Sequence, residues 1–391
     1  MAGLSHTKLD QELFERFYKL PIFPFFKLIK PDPQDTKVQK QEFLLSGKNP
    51  VFSYTRAMDF DIENYLKELE ECKTDIGKME TEDWIRDLYI AKLSELKTRA
   101  NMIVAIKASD ERTVEKIARE LFGTHQCDKT ELENELSRMI SPSSNFKAKQ
   151  KPINAEMFAQ QVQTVLDYYE MQNWKIKFTD QPNVKLSRGR SKNTATIWIP
   201  RKFKASHGRA KRLLIHEIEI HALRTQNGMN SPLHILRIGL DSYIETDEGL
   251  ALYFQMKQGD KPRQFDSGFW GSYACALTQE HDFNQTFQKL LKARMALDKL
   301  VGRSVTKEEQ QSRVWKLCMR AYRGITNPNK PGLGTCKDHI YRSGLEKIRK
   351  TDIENPDVQK LLFAGNIGLH HLDTIKHLDL SYVKTPDLIS K

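Results

Sequence analysis

Two histidines five positions apart, His216 and His221, lie in a mostly apolar run, with Glu217 directly after the first: Leu213-Leu214-Ile215-His216-Glu217-Ile218-Glu219-Ile220-His221-Ala222-Leu223-Arg224. Zinc hydrolases commonly place two histidines at i and i+4 on one helical face, with a glutamate beside the first. Neutral imidazoles bind the metal there, and the carboxylate takes a proton from a water that the metal holds. Here the spacing is one residue longer. At about 100° per residue, five steps set the two rings roughly 140° apart around a regular α-helix, too far to share one ion. The string therefore predicts a π-bulge or widened turn between His216 and His221. Without it, the pair is an ordinary helical salt-bridge or capping pattern.

A catalytic zinc takes three protein ligands and keeps a fourth position open. Glu248, in Ile244-Glu245-Thr246-Asp247-Glu248-Gly249-Leu250-Ala251, is the choice for the third ligand, on a helix that could cross the metal-binding one. The metal set is then His216, His221 and Glu248, with Glu217 as general base. A di-iron carboxylate centre is the competing reading, because Glu217, Glu219, Glu245, Glu248 and Glu280 stand near His216, His221 and His281 in the sequence. Such bundles use paired Glu-x-x-His segments, and none occurs in this neighbourhood.

Residues 1 to about 55 read as an irregular lead-in, punctuated by Pro21, Pro24, Pro31 and Pro33 and rich in aromatic residues that would pack on the body. From Asp59 to about Arg138, apolar residues recur at helical spacing, as in Ile62, Leu66 and Leu69. Ser141-Pro142-Ser143-Ser144-Asn145 has the composition of a linker. It divides a mostly helical region, 1–145, from a catalytic region, 146–391. After it come a helix from Ala155 to Gln172 and three short strands, Trp174 to Phe178, Val184 to Ser187 and Thr194 to Ile199. A helix from about Ser206 to Gln226 follows, with Asn227-Gly228 as a left-handed cap. The remainder reads as mainly helical, with loops at Gly259-Asp260-Lys261-Pro262 and at Thr326 to Gly334. The fold class is α+β.

With 391 residues, 39% of them hydrophobic, the chain can bury a sizeable core, and no stretch reaches the roughly 20 apolar residues of a membrane-spanning helix. The first residues lack the pattern of a secretory signal. The five cysteines (Cys72, Cys127, Cys275, Cys318 and Cys336) are scattered and form no Cys-x-x-Cys pair. Together these point to the cytoplasm. The net charge of +11 favours acidic partners. The closest basic clusters (Lys147, Lys149 and Lys151; Lys202, Lys204, Arg209, Lys211 and Arg212) lack the interleaved aromatics of a single-strand platform, so nucleic acid is not expected.

The motifs His216 to Gly228 (HEIEIHALRTQNG) and Asp247 to Ala251 (DEGLA) resemble those of the microtubule-associated tyrosine carboxypeptidase family and its bacterial relatives, the QEGLA-motif proteins. Weaker echoes are NPVFSY (Asn49 to Tyr54), RAYRG (Arg320 to Gly324) and KDHIYRSG (Lys337 to Gly344). The resemblance runs from about Asn49 to the C-terminus. It implies zinc on His216, His221 and Glu248, catalysis by Glu217, and a metallopeptidase fold with a small sheet before the metal-binding helix. It also implies removal of a C-terminal residue, tyrosine or glutamate, from an acidic protein tail such as that of tubulin. Asp247 departs from the family's usual Gln beside a ligand, not on one, a change expected to leave the chemistry intact and to bear on fine substrate preference.

A carboxypeptidase must hold a terminal carboxylate, for which an Arg fork is well shaped. Arg224, Arg320, Arg323 and Lys337 are the candidates because they flank or belong to these motifs; each is alternatively a structural salt bridge. Tyr341 could donate to the oxyanion. The strand ending at Pro200 suits a sheet edge that could pair with an extended substrate. His207, His234, His281, His339, His370 and His371 read as solvated or hydrogen-bonded residues, and Cys275 and Cys318 as core. The rival functions are a zinc endopeptidase or aminopeptidase, and a non-catalytic basic protein that binds acidic polymers.

Overall fold

The computed structural model describes residues 9–123, 129–139, 152–188, 194–257, 267–300, 302 and 304–387. The elements in chain order are α1 (Gln11–Tyr18), α2 (Phe25–Leu28), α3 (Pro33–Ser46), α4 (Thr55–Met58), α5 (Ile62–Lys78), α6 (Asp83–Lys107), α7 (Glu111–Phe122), α8 (Lys129–Met139), β1 (Ile153–Asn154) and α9 (Ala155–Tyr168). Next come β2 (Trp174–Thr179), β3 (Lys185–Arg188), β4 (Ala195–Pro200), β5 (Lys204–Ala205), α10 (His207–Leu213), a π-helical segment (Leu214–Ala222), α11 (Leu223–Asn230), α12 (Ile235–Ile238) and α13 (Tyr243–Lys257). Helices α14 (Ser267–Thr278), α15 (Phe283–Leu300), α16 (Lys307–Ala321), α17 (Ile340–Arg349), α18 (Pro356–Leu362) and α19 (Leu372–Ile375) complete the chain. The class is α+β, mostly helical with small sheets. No described helix is long and apolar enough to cross a membrane.

The N-terminal stretch is helical where an irregular lead-in was expected. Pro33 stands at the first turn of α3, where a missing N–H costs nothing, and Gly47 closes that helix at φ 71°. The prolines therefore start a helix here rather than prevent one. The stretch is tied to the C-terminal half: the Phe52 N–H donates to Thr326 O at 2.8 Å, and the Tyr54 hydroxyl to Ile325 O at 3.0 Å.

The three strands form where the sequence places them, but in the order β2-β4-β3. Strand β4 is central, parallel to β2 (Trp174 opposite Ala195) and antiparallel to β3 (Lys185 opposite Trp198). The expected edge at β4 is thus corrected. Pro200 falls at the last paired position, where its missing N–H does not interrupt the ladder, so β4 has no free side for a substrate strand. Ala195, Ile197 and Ile199 point inward and are fully buried. They join Phe158, Val162 and Val165 of α9 and Ile215 and Ile218 of the π-helical segment in one apolar core. A second core gathers the N-terminal helices with α12, α14 to α16 and the start of α17, so it draws on chain from both sides of residue 145. The Ser141 to Asn145 linker, the Lys147 to Lys151 cluster and the Gly259 to Pro262 loop lie outside the described residues.

Candidate metal centre

Ser206 starts the motif helix: its Oγ accepts from the Arg209 N–H at 3.4 Å and caps α10. The helix widens over Leu214–Ala222, and the Leu223 N–H then donates to Ile218 O, five residues back. That i→i+5 register is the widened turn that the histidine spacing demands. It brings the two rings to one face, centroids 4.6 Å apart and planes at 86°. The helix does not stop at Asn227-Gly228, as the sequence suggested, but runs on to Asn230. Gly228 is needed for close packing instead, because a Cβ there would lie 2.6 Å from Leu236 O. Asn227 faces inward, donating to Phe363 O at 2.8 Å and to Lys384 O at 2.7 Å.

Helix α13 supplies Glu248. Its Oε2 lies 3.3 Å from His216 Nε2 and 3.8 Å from His221 Nε2, and it is buried without a hydrogen-bond partner. Ligands of a tetrahedral zinc stand about 3.3 Å from one another at ordinary bond lengths. Two imidazoles and an orphaned carboxylate oxygen at these separations fit such an ion. Burial pushes the Glu217 carboxyl upward against the pull of His216 and His221, a shift that suits a proton acceptor.

Helix α17 crosses α13 closely enough that both contact positions must be glycine. A Cβ on Gly249 would meet Gly344 C at 2.4 Å, and one on Gly344 would meet Glu245 O at 2.1 Å. This crossing sets Tyr341 near Glu248; burial, with Glu248 and Asp338 adding to it, raises the phenol's pKa and holds it protonated. The glycines of the Glu-Gly-Leu-Ala and Arg-Ser-Gly strings thus have a packing reason.

The four basic candidates separate. Arg320 Nε lies 2.5 Å from Asp338 Oδ2, and Arg323 Nη1 lies 3.8 Å from Asp338 Oδ1. Lys337, beside them, sits with its Nζ 5.0 Å from the Phe26 ring, and burial pulls its pKa down to about 8. These three gather around the buried Asp338, with Arg320 and Arg323 near Tyr341 and Lys337 near Glu248. Lys30, Arg56 and Lys185 belong to the same field: partial desolvation, then Arg323, Lys185, Arg56 and Arg320, lower the Lys30 ammonium. Nothing in the sequence pointed to those three, which come from a loop, a short helix and a strand remote from the motifs.

Arg224 is a correction. It is completely buried, with Nη1 on Asp247 Oδ1, Nε donating to Leu362 O at 3.0 Å and Nη2 to Ile367 O at 2.6 Å. It cannot reach a substrate carboxylate. Asp247 in turn faces His221, with Oδ2 2.8 Å from Nδ1. Burial would raise the Asp247 carboxyl, but His221 and Arg224 together hold it well below the usual range. His221 is pushed up to about 9, burial being outweighed chiefly by Asp247.

Among the described residues one other group has the composition of a metal site: Asp241, His370 and His371. There the Gly368 N–H donates to His371 Nδ1 at 3.0 Å, so the ring proton sits on Nε2, which lies 2.9 Å from Asp241 Oδ1. A protonated Nε2 offers no lone pair. The group is a hydrogen-bonded clamp rather than a second centre.

The family model described as microtubule-associated tyrosine carboxypeptidase matches residues 41–389. The chain is similar to microtubule-associated tyrosine carboxypeptidase 1 of Mus musculus, 27% identical over 168 residues, which are 42% of this chain and 32% of that protein. The Homo sapiens protein of the same name is 28% identical over 168 residues, with the same shares. The matched stretch therefore spans about a third of the length of these relatives.

Proposed function

The chain belongs to the microtubule-associated tyrosine carboxypeptidase family, and on that premise we propose that it is a zinc-dependent carboxypeptidase that removes a C-terminal residue from acidic protein tails, with tubulin as one such substrate and the cytoplasm as its place of action. The observation that carries this reading is the buried, unpartnered Glu248 Oε2 facing the Nε2 atoms of His216 and His221, with Glu217 alongside. His216, His221 and Glu248 would hold the zinc. When bound, zinc supplies Lewis-acid polarisation of a carbonyl and a lowered water pKa.

The chain's own residues supply the rest. Glu217, adjacent to His216, accepts the proton from the attacking water and returns it to the leaving amine. The Tyr341 hydroxyl, kept protonated, donates to the oxygen on which negative charge develops. Arg320, Arg323 and Lys337 face an incoming acidic tail, and an Arg fork is the natural holder of its terminal carboxylate.

The test is mass spectrometry of acidic-tailed peptides incubated with the zinc-loaded protein, each with a free or an amidated C-terminus. Loss of one C-terminal residue from the free acid only, abolished by Glu217→Gln while zinc still binds, is the expected result. Cleavage of the amide to the same extent would make the enzyme an endopeptidase or aminopeptidase. Binding without cleavage by wild type and variant alike would leave only a basic binding protein.

A further inference from the structure

Behind the metal-facing atoms, the geometry points to Asp247, held in place by the buried Arg224, as the positioning residue that turns the Nε2 of His221 toward the metal and so governs how tightly the chain retains it. This rests on the metal reading above. An imidazole carries its proton on whichever nitrogen faces an anion, leaving a lone pair on the other. His221 Nδ1 lies 2.8 Å from Asp247 Oδ2, whereas its Nε2 faces Glu248 at 3.8 Å. Asp247 and Glu248 are consecutive, so one turn of α13 grips the ring from behind and from in front. The ring is turned off the hydrogen-bond line to Asp247, so the contact is a close polar approach rather than an aligned bond.

Arg224 closes the arrangement. It stands three residues after His221 on the same helix, takes the other Asp247 oxygen, and is itself fixed by Leu362 O and Ile367 O. The carboxylate is therefore held between His221 and Arg224, one oxygen on each. The Asp241 cluster makes the opposite choice: a backbone N–H occupies His371 Nδ1, which fixes the proton on Nε2. The His221–Asp247 and His371–Asp241 pairs thus present different faces, and of these two only the one backed by Asp247 leaves an Nε2 lone pair available.

Removing Asp247 alone would leave Arg224 as an uncompensated buried charge, so the decisive variants change both residues. Zinc affinity of the full chain would be measured by competition with a chromophoric chelator, and the visible spectrum of the cobalt-loaded protein recorded alongside. R224M/D247L has no acceptor behind His221; it should bind zinc about 10–100-fold more weakly and shift the cobalt bands. R224M/D247N offers an amide oxygen to the same ring nitrogen and should recover most of the loss with a near-native spectrum. D247N alone has one acceptor for two donors and should fall between them. Because both double variants lack Arg224, thermal unfolding of their metal-free forms should match, which separates positioning from stability. R224M/D247L with wild-type affinity and an unaltered cobalt spectrum would overturn the inference. A wild type whose zinc affinity is indifferent to His216→Ala would overturn the metal reading itself, and this proposal with it.

Discussion

Replacing Gly249 with alanine adds one methyl group where α13 meets α17. Built on the backbone, it would lie 2.4 Å from Gly344 C and 2.5 Å from Gly344 O, whereas ordinary contact begins at 3.4 Å. The neighbours are backbone and cannot rotate away, so the two helices must part by about 1 Å, an overpacking that costs about 1–3 kcal/mol. Helix propensity works in the other direction, since alanine is favoured over glycine by about 1 kcal/mol in a helix interior. The net expectation is a loss of up to about 2 kcal/mol. Gly77, in α5, is the control: nothing lies within 4 Å of a Cβ there, so Gly77→Ala should be neutral or stabilising. The two substitutions are chemically identical and differ only in what the methyl meets. Function should respond more sharply than stability, because Glu248 and Tyr341 sit on the two helices that separate. A misplacement of about 1 Å at reacting groups can cost about 100-fold in turnover. Urea denaturation of both variants gives the stability difference, and zinc competition with peptide turnover gives the functional one. If G249A proves as stable and as active as G77A, the close crossing does not hold the site together.

Two other perturbations are as direct. Zinc supplied at a hundredfold its Kd should stabilise the protein by about 2.7 kcal/mol over the chelator-treated form, and His221→Ala should remove that increment; thermal melts with and without chelator measure it. Asp10 is fully buried and accepts from Tyr89 Oη at 2.6 Å, His234 N at 2.8 Å and Ile235 N at 3.0 Å, and Asp10→Ala should cost about 3 kcal/mol by urea denaturation. Burial raises that carboxyl, yet His234, Tyr89 and Ile235 outweigh it and leave the folded value below 3.8. Its stabilisation is therefore complete above the unfolded value and is lost as pH falls through the folded one, so wild type should weaken more steeply below about pH 4 than D10A does.

The grouping of His216, His221 and Glu248 was legible because candidate metal ligands are written in residue types at fixed intervals. The interval between His216 and His221 carried even the widened helical turn. The strands were legible too, since Ala195, Ile197 and Ile199 alternate with less buried neighbours along β4. What stayed hidden depends on contacts far apart in the chain. Arg224 has the chemistry of a carboxylate anchor, and only the carbonyls of Leu362 and Ile367, some 140 positions on, reveal that it is enclosed. Gly228 carries a turn-former's signature, yet the Leu236 backbone gives it a packing role. The centrality of β4 follows from a crossover that pairs it with β2, and a proline at its end does not disclose that. Lys30 looks like a solvated surface residue until the fold sets Arg323, Lys185, Arg56 and Arg320 around it.

The π-helical register has a second consequence besides bringing two rings together. A regular α-helix would set residue 220, not 221, on the face of His216, and Ile220 is instead completely buried in the core with Ile215 and Ile218. The helix is docked at both ends. Upstream, Ala210, Leu214 and Ile215 pack into the core beneath β4; downstream, Asn227 is bonded to Phe363 O and Lys384 O, and Gly228 abuts Leu236. With both ends fixed, the inserted residue is absorbed locally, and only the turn between the anchors changes its pitch. His221 is thereby directed toward Glu248, while Arg224, three residues on, is carried behind it to Asp247. The extra residue thus sets the grouped atoms of His216, His221 and Glu248 and their buried support by Asp247 and Arg224 in one step, which links the weaker hydrogen bonding of a π turn to the geometry at this position.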